Sequence, residues 1–138
     1  MIFVDTSFWV ALRNQRDGHH AQATQLLWDH ANSQMATTNH VQGETWTYLR
    51  RRAGHRSAVE FLDALDQSPR VQVVRVSGEA EMRALEWLRK HDEREYSFVD
   101  ATSFVTMKSL RINESLSFDG DFSAAGFTPL QPGGTSQA

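Results

Sequence analysis

The chain has 138 residues, no cysteine and a formal net charge of −3, so structural disulfides and thiolate metal sites are excluded, and bulk positive charge alone cannot hold a nucleic acid. That length suits one domain able to bury a core without staples. No stretch approaches the roughly 20 apolar residues that span a bilayer, and no basic segment leads into an apolar one at the start, so a soluble cytoplasmic protein without a membrane partner is expected.

Ile2 to Asp5 reads as a short strand and Ser7 to Arg13 as a helix, with Phe8 and Leu12 four residues apart. The loop QRDGH interrupts, and His20 to Ala31 is helical again on a stripe of Ala23, Leu27 and Ala31. After a brief apolar Met35-Ala36, Thr38 and Asn39 offer caps for a helix whose inward stripe is Val41, Thr45, Tyr48 and Leu49, ended by Gly54. Ala58, Phe61, Leu62 and Leu65 have core-facing helical spacing, stopped at Ser68-Pro69. The β-branched run from 71 to 76 reads as strand. A helix starting near Ser77 carries Ala84, Leu85 and Leu88 inward and ends near His91. DEREYS is a polar connection, and Ser97 precedes a helix through Phe104, Val105 and Leu110. Residues 115–118 alternate like a strand, and Thr128 to Leu130 form a last short one. One domain over 1–131 with a flexible tail at 132–138 is expected.

Strands alternating with helices predict an α/β domain with a mainly parallel central sheet. Ligands in such sheets gather beyond the carboxyl ends of the strands. Asp5 follows one strand and Asp119 follows another. Each acid has an ordinary explanation: Asp5 caps a helix, Glu44 borders its apolar stripe, Asp100 completes a capping box from Ser97, and Asp119 and Asp121 flank a turn glycine. As a set they are harder to dismiss. Two carboxylates about 4 Å apart repel by about 4 kcal/mol at an effective dielectric near 20, so a shared pocket calls for a cation. Oxygen donors alone favour Mg²⁺, with Mn²⁺ a substitute. Such a centre suits phosphodiester hydrolysis, with Glu44 a candidate to accept the attacking water's proton.

The stretches MIFVDTSFW, TNHVQGETW, YSFVDATSF and SFDGDFSAAGF, in this order and spread over nearly the whole chain, resemble a PIN domain, specifically a toxin ribonuclease of the VapC type. The resemblance implies an α/β/α sandwich, a homodimer, Mg²⁺-dependent endoribonuclease activity and inhibition by a VapB-type antitoxin. It maps Asp5, Glu44, Asp100 and Asp119 onto the family's catalytic acids and Asp5, Asp100, Asp119 and Asp121 onto its metal ligands, with Thr6 and Ser7 as supporting hydroxyls. HDEREYSFVDATSF and FDGDFSAAGF further resemble the VapC toxins that cut the sarcin-ricin loop of large-subunit rRNA; relatives that cut tRNA share the same acids, and a non-catalytic PIN scaffold is the non-enzymatic alternative.

Arg50, Arg51, Arg52 and Arg56 follow the Glu44 helix and are candidate phosphate contacts. His19, His20 and His40 show no metal-site spacing and are read as structural or surface residues. The four tryptophans are assigned to core or dimer packing. A haloacid-dehalogenase-like phosphatase would need a second Asp where Ser7 stands, and the acid pair and late lysine of a receiver domain are not clear here.

Overall fold

The computed structural model describes residues 1–133; the expected tail at 132–138 lies mostly outside them. Five parallel strands, β1 (Ile2–Val4), β2 (Met35–Thr38), β3 (Val71–Val74), β4 (Glu114–Leu116) and β5 (Thr128–Pro129), stand in the order β3-β2-β1-β4-β5. The helices between them are α1 (Thr6–Arg13), α2 (His20–Asp29), α3 (Asn39–Arg52), α4 (His55–Gln67), α5 (Gly78–Lys90), α6 (Phe98–Leu110) and the short α7 (Asp121–Ala124).

The chain winds outward from β1 to β2 to β3, then returns across the sheet to lay β4 on the other side of β1. Right-handed crossovers therefore place α1 to α4 on one face and α5 and α6 on the other. The reversal makes the gap between β1 and β4 the switch point of the sheet, the place where parallel sheets hold ligands. β1 has all three residues buried, as a central strand covered on both faces requires. Val4 is level with Leu116 in the ladder, and the Asp5 N–H donates to the Leu116 carbonyl at 3.1 Å. Register alone thus brings the residues after β1 and after β4 to the same rim.

Aromatic clusters fill the core. Trp9 packs on Phe61, with ring centroids 5.7 Å apart; Phe104 packs edge-on to Phe122 at 5.0 Å and stacks on Phe127 at 5.5 Å. Trp87 and Tyr96 close over Phe104.

Several expectations are corrected. β2 runs to Thr38, beyond the two apolar residues that hint at it, because Thr37 is fully buried with its hydroxyl donating to the Val4 carbonyl at 2.8 Å. Spacing points Leu85 and Leu110 inward, yet they are 40% and 41% exposed, and Trp28, assigned to core or dimer packing, is 79% exposed and so outside the core. Gly54 ends α3 as its place predicts: the helix stops at Arg52, the Gly54 N–H donates to the Leu49 carbonyl at 3.1 Å, and its φ of +96° favours glycine before α4 begins. Asp121 opens a helical turn, α7, with Phe122 buried beneath it.

Candidate active site

At the carboxyl rim, between β1 and β4, lies a cleft of about 310 Å³. Asp5, Thr6, Ser7, Glu44, Asp100 and Asp119, drawn from segments far apart in the chain, all line it. Asp5, Glu44 and Asp100 reach it through local devices readable in their own segments. Asp5 is the N-cap of α1, accepting the Ser7 N–H at 3.3 Å and the Ser7 hydroxyl at 2.9 Å. Asp100 sits in the first turn of α6 in a complete capping box: it accepts the Ser97 N–H, and the Ser97 hydroxyl accepts the Asp100 N–H, both at 2.9 Å. Glu44 lies half-buried in α3, which Thr38 caps by accepting the Val41 N–H at 3.0 Å.

Asp119 is held most elaborately. The Ser7 hydroxyl that donates to Asp5 also accepts the Phe118 N–H at 2.9 Å. The Phe118 ring is clamped between Phe8, at 5.9 Å, and His19, at 4.5 Å. Asp119 then accepts the Asp121 N–H at 3.0 Å, the side-chain-to-backbone bond of an Asx turn. Ser7 therefore fixes two acids at once.

Asp5 is 2% and Asp100 8% exposed. Burial, reinforced by the neighbouring carboxylates Asp119 and Asp100, pushes Asp5 well above the usual carboxylate range. Burial likewise raises Asp100 to about 6, with Asp121 and Asp119 adding to it. Asp119 is raised by burial and by Asp121, and its own charge in turn helps to raise Asp5.

These residues fit a divalent cation. Oxygens of Asp100, Asp119 and Asp121 lie within 4.8 Å of one another; Asp5, expected as a fourth ligand, lines the same cleft but falls outside that group. The donors are all hard oxygens. Thr6, 5% exposed and on the cleft wall, has a hydroxyl with no hydrogen-bond partner among the described residues. Two buried acids and the half-buried Asp119, all resisting ionisation, with the Thr6 hydroxyl beside them, would gain from a bound cation.

Of the basic cluster, only Arg52 lines this cleft, its guanidinium 4.7 Å from the Tyr48 ring centroid; Arg50, Arg51 and Arg56 are exposed elsewhere. The structure adds residues that sequence reasoning misses. His19, expected in a structural or surface role, lines the cleft with Asp17, whose carboxylate accepts the His19 N–H at 2.8 Å. Arg94, within the supposed polar connection, donates through Nε to Asp121 at 2.7 Å. Its guanidinium lies against Gly120, where a Cβ would meet it at 3.1 Å. The stretch around it carries part of the family resemblance, but no spacing marks Arg94 itself, whose partner is 27 residues away.

A family model described as PIN domain matches residues 2–128. The 23S rRNA-specific endonuclease VapC20 of Mycobacterium tuberculosis, in two strains, is 54% identical over 132 residues, which cover 96% of this chain and 99% of that protein. The crystal structure of M. tuberculosis VapC20, described as a sarcin-ricin loop cleaving toxin, aligns with a TM-score of 0.90 at 53% identity, covering 96% of this chain and all of that one. VapBC2 of Rickettsia felis, solved bound to a DNA fragment from its promoter, aligns with a TM-score of 0.67 at 13% identity over 90% of this chain and 92% of that one, a likeness of fold alone.

Proposed function

The chain belongs to the PIN-domain family, and we propose that it is a metal-dependent endoribonuclease toxin that cuts the sarcin-ricin loop of large-subunit rRNA. One observation carries the chemistry: buried acids from separate segments share one cleft at the switch point of the sheet. The substrate rests on the relative named a 23S rRNA-specific endonuclease, 54% identical over nearly the whole chain.

Asp5, Asp100, Asp119 and Asp121 would hold the cation, Mg²⁺ with Mn²⁺ as substitute, and Thr6 and Ser7 would order the site around it. A bound divalent ion supplies Lewis acidity, a more acidic water and neutralisation of phosphate charge. The Ser7 and Phe118 connection would hold Asp5 and Asp119 in place around that cation. Glu44 accepts a proton from the attacking water. Arg52, held over Tyr48, offers planar donors to a phosphate at the cleft wall, while Arg50, Arg51 and Arg56 add longer-range attraction.

A ribosomal substrate supports a cytoplasmic location; among the described residues no helix is long and apolar enough to cross a membrane. A VapB-type antitoxin and a homodimer complete the proposal. The exposed Trp28, in a cleft with Leu27 and Ala31, supports a protein partner.

The test is to incubate antitoxin-free protein with intact ribosomes and with tRNA, with and without Mg²⁺, and to map the ends. Metal-dependent cutting within the sarcin-ricin loop is expected, lost in Asp5→Asn and Asp100→Asn. Both variants keep an oxygen that can accept the capping N–H, so their folding can be verified by circular dichroism. Cutting of tRNA alone would replace the substrate. Cutting that persists in both variants would remove the assigned centre, and no cutting by a folded, metal-bound wild type would favour a binding scaffold.

A further inference from the structure

The acids that carry out hydrolysis repel the polyanion they must cut, so the grip on RNA has to come from outside their cleft. A second cleft, of about 450 Å³, adjoins the first and shares Arg52 with it. Its other walls include Arg13, Asn14, Gln15 and Arg16, at the end of α1 and in the turn after it, and Glu60 of α4. Three guanidiniums thus face one carboxylate. That carboxylate is a weak counter-ion: Arg13 and Glu60 are 4.0 Å apart, and the Glu60 side chain is 58% exposed. Among the described residues, Arg16 and Arg52 make no ion pair. The turn has a defined shape, since Asn14 Oδ1 accepts the Arg16 N–H at 3.2 Å.

Uncompensated guanidiniums on a shaped wall suit an anion with several acceptor oxygens, and the position beside the acids selects which one. We infer that the Arg13–Arg16–Arg52 cleft is a phosphate-binding subsite that holds the RNA backbone next to the bond being cut. This assignment rests on the nuclease reading. It routes the strand from the acids across Arg52 to the end of α1, away from Arg50, Arg51 and Arg56, which line neither cleft.

Arg13→Gln/Arg16→Gln tests it, with the milder Arg16→Gln alone in case the double variant folds poorly. Two readouts are needed: steady-state cleavage of a sarcin-ricin-loop RNA across a salt series, and anisotropy of the same fluorescein-labelled RNA bound to these variants in an Asp5→Asn background. KM and Kd should rise roughly ten-fold for each charged hydrogen bond removed, with kcat nearly unchanged. The slope of log affinity against log salt should become shallower by about 0.7 for each phosphate of an unpaired strand that is no longer neutralised. Arg13→Lys/Arg16→Lys should recover the slope but not the full affinity.

Unchanged KM, Kd and salt slope in a cutting enzyme would overturn the subsite and leave the nuclease reading intact. Loss of RNA binding in variants of a protein whose wild type cuts nothing would keep the subsite and overturn the nuclease. Normal RNA kinetics with weakened binding of an acidic antitoxin segment would assign the cleft to a protein partner instead and overturn the subsite.

Discussion

Asp100 has two roles that pull in different directions. Its carboxylate accepts the Ser97 N–H and so starts α6, yet burial and the nearby Asp121 and Asp119 oppose its charge. Asparagine would keep the cap and remove the charge. Asp100→Asn is therefore expected to melt about 3 °C or more above the wild type at neutral pH without metal, while RNA cleavage falls roughly 100-fold or more. Calorimetry in EDTA and a cleavage assay check both parts. Arg94 acts in the opposite sense: its guanidinium neutralises Asp121 and is felt at Asp119. Arg94→Gln leaves the acids more negative, so Mn²⁺ should bind roughly three- to ten-fold more tightly by isothermal titration. Weaker binding would mean that Arg94 matters mainly by holding Asp121 in place.

At the scale of elements, the site is built from helix starts. Asp5 caps α1, Thr38 caps α3 and Ser97 caps α6, so interactions that begin helices also aim side chains at the rim. Ser97→Ala removes one arm of the capping box. It should cost about 1 kcal/mol in chemical denaturation and lower kcat more than it raises KM, because Asp100 loses the turn that orients it. Such devices are local, which is why the sequence shows them: Ser97 and Asp100 are three residues apart, and Thr38 stands directly before its helix. What stayed hidden depends on distant partners. Thr37 looks unsuited to a core strand until Val4 supplies an acceptor for its hydroxyl. His19 is exposed, as expected of a surface residue, but that it stacks on Phe118 and lines the cleft depends on a partner far along the chain. Arg94 looks like part of a polar connection until the fold delivers Asp121 to it. Leu85 has the right spacing to face inward, but periodicity does not say how far the neighbouring layer extends.

For the whole molecule, a cation held among the acids would convert its binding into fold stability. Asp5, Asp100 and Asp119 are all raised above ordinary carboxylates, Asp100 to about 6. Below the unfolded carboxylate value, near 4, these groups are protonated in both states and their full contribution to stability is present. Between that value and the folded one, the native state holds protons that the unfolded chain has released. Stability is therefore lost as pH rises through about 6 for Asp100, and higher still for any acid raised further. In EDTA the melting temperature should fall between about pH 5 and pH 8. Saturating Mg²⁺ should flatten the decline, because a ligand that binds only the native state adds stability as its concentration exceeds Kd. The decisive quantity is the difference between wild type and Asp100→Asn across the pH series, in which the contributions of all other groups cancel. That difference should widen with pH in EDTA and shrink when Mg²⁺ is added. A difference that stays constant with pH would mean that Asp100 ionises as freely as a surface acid, and the crowded cleft would then not be what demands the cation.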